Sequence, residues 1–220
     1  MYKKVSVIIT NYNRSAFVGR AVRSCLEQLL FNGLSIEIIV VDDGSTDDSL
    51  KILKMFEGSI ILVVHEKNRG VAAASNSGLR VATGDFIIRL DADDFMNKLS
   101  VHLLSQILNE NPAIGFVYTD HYRVDDHGFK QEKVVIDNKE LLYEHGAGVM
   151  IRREVFAKVG FYDESLKNCE DYDLLVRICK EYNGFHVPLP LYRYHIHGQN
   201  ISLDEKRDEF KNFVRARHGL

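Results

Sequence analysis

The 220-residue chain has no tryptophan, three prolines, three cysteines and no apolar run near the ~18 residues a membrane-spanning helix needs. Each scarcity excludes something. Cys25, Cys169 and Cys179 are odd in number and far apart, with neither a CxxC pair nor a matching histidine cluster, so no disulfide framework or structural zinc site is expected. A reducing cytosol is the simplest setting, and peripheral contact with the inner face of a membrane is compatible with it. Excess positive charge is also missing: the formal net charge is -3, so nothing draws the whole chain toward nucleic acid, and no nucleic-acid partner is expected. No GxGxxG follows the first apolar run and no GxxxxGK[ST] occurs anywhere, which removes the dinucleotide fingerprint and the P-loop. With no internal repeat, low-complexity tract or flexible linker, the chain reads as one globular domain.

What is present is a repeated strand-then-helix pattern. Val5 to Thr10, Ile36 to Val41, Ile60 to Val64 and Phe86 to Leu90 are short β-favouring runs. Between them, helical spacing is carried by Phe17, Val18, Ala21, Val22, Cys25, Leu26 and Leu29, by residues 48–56, and by the small-residue stretch 70–82. Ser15, and Ser45 or Thr46, are the expected helix caps. This alternation predicts an α/β fold with an open, mainly parallel, doubly wound sheet flanked by helices. Further on, the spacing predicts a helix over 96–108, a strand over 114–118, irregular strands or loops over 119–144, helices over 152–159 and 169–182, and short strands at 185–187 and 191–196. This second part is expected to form a small mixed-strand C-terminal portion, followed by a terminal helix or mobile arm from 204. The division expected is a first half over 1–118, a second over 119–203 and the segment 204–220.

Parallel strands bring their carboxyl ends to one side, where ligands of open α/β sheets bind. Three such ends carry polar clusters: Thr10 to Asn13, Asp42 to Ser45, and Asp91 to Asp94. Tyr12 offers a ring for a nucleobase and Asp43 an acceptor for a base N–H or ribose hydroxyl. Asp42 and Asp43 read better as a joint site than as an Asx turn. The three carboxylates Asp91, Asp93 and Asp94 are expected to face solvent, and Asp91 with Asp93 suits a hard divalent cation shared with a diphosphate. In Glu170-Asp171-Tyr172-Asp173 the acids crowd the start of a helix, which they also stabilise electrostatically, and Asp171 or Glu170 is a candidate general base. From Tyr192 to His197 the alternation puts Arg193, His195 and His197 on one face.

In order and spacing, several segments resemble the family 2 glycosyltransferases of the GT-A fold. They are Val5 to Asn13, Ile39 to Asp47, Asn68-Arg69-Gly70 through Gly78, Gly84-Asp85 through Asp94, Glu170 to Leu174 with Arg177, and Tyr192-Arg193-Tyr194-His195 followed by Asn200-Ile201-Ser202. The resemblance implies an inverting enzyme that uses Mg²⁺ or Mn²⁺. Its donor would be a nucleoside-diphosphate sugar, a UDP-sugar first among them, and its acceptor a saccharide or lipid-linked saccharide. It further implies Thr10, Tyr12, Asp43, Asn68, Gly70 and Asp91 as nucleotide contacts, Asp171 as the base, and Asp93 with His195 as metal residues, His195 being preferred to the equally polar His197. A processive membrane synthase is not expected, and a homo-oligomer is compatible with the sequence. Two other readings stay open: a nucleotidyltransferase acting on sugar phosphates, and a catalytically silent sugar-binding protein.

Overall fold

A computed structural model of the chain describes residues 3–198, 200 and 206–220. Ile201 and Ser202, together with residues 204 and 205 of the predicted terminal segment, lie outside the described residues.

The first half alternates as its apolar runs dictate: β1 (Lys4–Asn11), α1 (Ser15–Leu26), β2 (Ser35–Asp42), α2 (Ser49–Lys54), β3 (Ile61–Val64), α3 (Val71–Val81) and β4 (Phe86–Asp91). Its four strands are mutually parallel in the order β3-β2-β1-β4. Alternate residues of each strand serve opposite layers. Val5, Val7 and Ile9 pack with Val18, Ala21 and Val22 of α1 and with Leu104, whereas Ile8 joins Ala74 and Leu79 of α3 on the other face. The alanines of α3 are buried, as a helix lying close on a sheet requires. The caps differ from the prediction. Asp47 serves both helix starts, accepting from the Ser15 amide through Oδ2 and from the Ser49 amide through Oδ1, each at 2.9 Å. Ser45 instead ties the β2 loop to the β1 loop, accepting from the Asn13 amide at 2.9 Å and from Asn11 Nδ2 at 3.1 Å.

The remaining elements are β5 (Phe95–Met96), α4 (Ser100–Glu110), β6 (Ile114–Val124), β7 (Lys130–Val134), α5 (Lys139–Glu144), β8 (Val149–Arg152), α6 (Arg153–Val159), α7 (Glu170–Glu181), β9 (Asn183–His195) and α8 (Arg207–His218). Antiparallel β8 joins β4 to β6, β6 and β9 run parallel, and the completed order is β3-β2-β1-β4-β8-β6-β9-β5 with β7 against β6. Met96 belongs to β5 rather than to the following helix. That helix starts later because Asn97 turns the chain, its Oδ1 accepting from the Leu99 amide and its carbonyl from the Ser100 amide, both at 3.0 Å.

Two features of this half departed from the apolar pattern. β6 continues through Thr119, Asp120 and His121, polar but buried. Asp120 is fully enclosed because it accepts from His186 Nε2 (2.7 Å), Lys133 Nζ (2.9 Å) and the Ile136 amide (3.1 Å). The two predicted strands around Pro188 and Pro190 are one strand, whose register with β6 slips at Thr119–His121 and so accommodates residues without an N–H. The terminal segment forms α8, which docks Val214 against Leu166, Cys169, Tyr172 and Val176. Ion pairs Lys211–Glu144, Arg215–Glu140 and Arg217–Asp163 fasten it to its neighbours. Among the described residues, no helix is long and apolar enough to cross a membrane.

Candidate active site

A cleft of about 720 Å³ opens at the carboxyl ends of β1, β2 and β4 and is closed on its far side by α5, the start of α7 and the first turn of α8. Thr10, Tyr12, Asp43, Asn68, Gly70, Asp91, Asp93 and Asp171 all line it. Tyr12 is 42% exposed, a ring presented to the cleft rather than to the core.

The first two strand ends divide the work unequally. Asp42 is structural: its Oδ2 accepts from the Ser45 amide at 3.0 Å, an Asx-type turn, and its Oδ1 from Asn11 Nδ2 at 2.7 Å. Asp43 is the member that faces the cleft. Its carboxylate takes the Arg69 amide (2.9 Å) and the Gly70 amide (2.8 Å), so it holds the segment that carries Asn68 and Gly70 against the β2 loop. Gly44 permits this approach. At φ +72°, a Cβ there would lie 2.6 Å from the Lys67 carbonyl carbon. His65, directly after β3, was not among the predicted residues. Its Nδ1 sits 2.6 Å from Asp43 Oδ1 and its Nε2 2.9 Å from Ser77 Oγ, fixing Asp43 from behind.

The β4 end separates its three acids. Asp94 is buried and accepts from the Tyr192 hydroxyl and the His195 amide, both at 2.7 Å. Its carboxyl is pushed well up, first by burial and then by Asp93 and Asp91. It therefore anchors β9 to the acidic loop and is not solvent-facing as expected. Asp93 Oδ2 meets Arg14 Nε at 3.0 Å and His197 Nε2 at 2.9 Å. Asp91 Oδ1 accepts from Arg89 at 3.0 Å and from Thr10 at 3.2 Å.

The basic face predicted for β9 points the other way. Tyr194 and Ile196 line the cleft. Arg193 lies over the Tyr122 ring and donates to the Pro190 and Tyr192 carbonyls. His195 is fully buried, with its ring edge on Phe17 and its Nε2 2.8 Å from Asp126 Oδ1. The imidazole that reaches Asp93 is that of His197, beyond the end of the strand, where strict alternation no longer applies.

Across the cleft, Asp171 sits in the first turn of α7, with Oδ1 accepting from the Tyr172 amide at 2.8 Å. Gly146 lies directly over it: a Cβ there would fall 2.7 Å from Asp171 Oδ2. Asp173 turns away to Arg177 (2.8 Å) and His218 (2.8 Å), a structural role. Glu170 is buried, with Oε1 3.7 Å from Arg89 Nη1, the group that also holds Asp91. Burial first, and then Asp171, raise the Glu170 carboxyl to about 7, while Arg89 draws it down.

That shift gives a stability prediction. Between the ordinary glutamate range and pH 7 the folded chain keeps a proton that the unfolded chain has lost, so stability falls as pH rises through this window. Glu170→Gln removes the dependence. The variant is expected to match wild type near pH 4.5 and to exceed it by about 2–3 kcal/mol at pH 8, read from urea melts at both pH values.

The sequence profile of Glycosyl transferase family 2 matches residues 6–160, which span every strand end described above except that of β9. The chain belongs to glycosyl transferase family 2. The chain is 29% identical to the chondroitin synthase of Escherichia coli over 94% of its own length, and spans about a third (32%) of that protein. In fold it resembles S. aureus TarS 1-349 in complex with UDP-GlcNAc, with a TM-score of 0.78 at 22% identity over 97% of this chain and 66% of that one. It also resembles the mannosyltransferase PcManGT of Pyrobaculum calidifontis in complex with GDP-Man and Mn²⁺, with a TM-score of 0.69 at 18% identity over 99% and 62% of the two chains. Both structural neighbours have the GT-A fold predicted here.

Proposed function

We propose that this family 2 glycosyltransferase moves a sugar, with inversion, from a nucleoside-diphosphate sugar to a hydroxyl of a saccharide or lipid-linked acceptor, using a divalent cation. The observation that carries the reading is that Asp171 on α7 and the Asp91/Asp93 pair at the end of β4 line one cleft. A base and a diphosphate-binding acidic pair on either side of a reacting sugar are what a single in-line displacement requires.

In this scheme Tyr12 packs on the base, and Asp43 and Gly70 shape the ribose end of the pocket. UDP is the first nucleotide to test, since the TarS neighbour holds UDP-GlcNAc. Asp171 takes the proton of the acceptor hydroxyl through Oδ2, because Oδ1 already accepts a backbone N–H. The acceptor oxygen attacks the anomeric carbon from the face opposite the diphosphate, which leaves as the bond to its oxygen breaks. No second carboxyl group is needed as an acid for this leaving group. Residues 1–118 supply the nucleotide side in this reading, and residues 119–203 with the segment 204–220 supply the acceptor side.

Among the described residues no group of three His, Cys, Asp or Glu side chains is arranged to enclose a metal. The converging Asp93 carboxylate and His197 imidazole nonetheless fit Mg²⁺ or Mn²⁺, which take much of their coordination from phosphates and water. When bound, such a cation supplies positive charge to the departing diphosphate.

The test is to incubate purified protein and Mn²⁺ with a panel of nucleotide sugars and to measure released nucleoside diphosphate. Release from one or a few donors is expected. Binding without release from any donor would favour a silent sugar-binding protein, and pyrophosphate release from a nucleoside triphosphate and a sugar phosphate would favour a nucleotidyltransferase.

A further inference from the structure

The acceptor side of the cleft gathers three cations in addition to the Glu170 and Asp171 carboxylates. Arg123, Lys167 and Arg207 all line it. Glu144, the acid beside them, is already held by Lys211. Among the described residues Lys167 has no carboxylate within ion-pair distance, and the contact made by the Arg207 guanidinium is with the Glu144 carbonyl at 2.9 Å, a neutral acceptor. Arg123 pairs with Glu132 at 2.8 Å, but the Glu132 side chain is largely exposed and solvent screens the pair.

Arg207 stands next to the base. The Arg207 carbonyl accepts from Cys169 Sγ at 3.8 Å, two residues before Asp171, and the Arg207 guanidinium holds residue 144, two residues before the Gly146 that lies over Asp171. His145 lines the cleft beside these cations. Burial first, and then Arg123, lower the proton affinity of His145, and Arg207 lowers it further against the pull of Glu144 and Asp171. Behind it, 5.4 Å ring to ring, His121 is buried and pushed down to about 4 by burial, His145 and Arg123.

We propose that the acceptor is an anionic saccharide, whose carboxylate or phosphate group is received by Lys167 and Arg207, flanked by Arg123, beside the hydroxyl presented to Asp171. Arg207 offers a guanidinium fork suited to either oxyanion, and Lys167 a mobile point charge. The nucleotide side has cations of its own, since Arg14 stands at Asp93 and Arg89 at Asp91. The inference rests on the glycosyltransferase reading for the role of the cleft, but its test does not depend on turnover.

Calorimetric titration of the whole chain at low salt would use three tetrasaccharides that differ only in the terminal unit: glucuronate, glucose, and glucose 6-phosphate. Binding of one or both charged acceptors at least about tenfold tighter than the glucose form is expected, and which one prevails identifies the oxyanion. Arg207→Gln and Lys167→Gln should each shrink that preference several-fold, Arg207→Lys should restore part of it, and added salt should weaken it. Equal affinity for charged and neutral forms, no binding of either charged form, or a preference untouched by both glutamine variants would overturn the proposal. So would variants that weaken nucleoside-diphosphate binding instead, since the cations would then serve the donor. Failure of every nucleotide sugar to be hydrolysed would count against the glycosyltransferase reading, while the acceptor titration would still decide this one.

Discussion

Asp171→Asn is expected to lower turnover by roughly two to four orders of magnitude, the usual weight of a positioned general base. Asparagine keeps the size of the side chain and can still accept from the Tyr172 amide through its oxygen, so the first turn of α7 should form as before. What it cannot do is take a proton from the acceptor hydroxyl. Donor affinity should therefore change little, because the nucleotide residues come from β1, β2 and β4 on the other wall. Glu170→Gln is the control. Glu170 is adjacent in sequence and also acidic, yet it is buried toward Arg89, and its loss should cost activity far less. Single-turnover rates with saturating donor, alongside nucleotide affinity, separate the two. Equal and small losses in both variants would reduce the acidic turn to a helix-stabilising role.

The contrast between neighbouring acids shows where sequence reading succeeds and where it stops. The parallel half was legible because its strands are continuous apolar runs whose alternate residues feed two helix layers, and such a pattern admits few other folds. The three polar strand ends followed from that topology. Which acid of each cluster faces the cleft did not, since Asp42 and Asp94 differ from Asp43 and Asp93 only in their partners, and those partners are remote in sequence: Asn11 for the first, Tyr192 and the His195 amide for the second. His65 was overlooked although it follows β3 as the Asp42-Asp43 pair closes β2, so the same strand-end logic applied to the third strand would have marked it. From Thr119 onward the buried positions are polar and paired with one another, as at Asp120, which erases the apolar period on which the prediction depended.

The histidine assignment is where the structure changes the expected experiment. Asp93→Ala should leave nucleoside-diphosphate affinity insensitive to Mn²⁺, because that carboxylate is the hard donor best placed for the ion. Its loss removes one partner from each of Arg14 and His197 but also takes a charge away from the buried Asp94, so the melting temperature should move little. His197→Ala should weaken the apparent Mn²⁺ constant, measured with nucleoside diphosphate present, by roughly 10–100-fold, whether the imidazole ligates the ion or orients Asp93. His195→Ala should instead act through the core. That ring is wholly enclosed against Phe17 and its Nε2 meets Asp126, so the substitution leaves a cavity and should cost about 1–3 kcal/mol of stability, with Mn²⁺ affinity retained in the folded fraction. The discriminating measurement is a pair of curves for each variant, a thermal melt and a Mn²⁺ titration. If His195→Ala lost metal affinity without losing stability while His197→Ala lost neither, the two imidazoles would exchange roles, and β9 would have to rotate its basic face into the cleft when the donor binds.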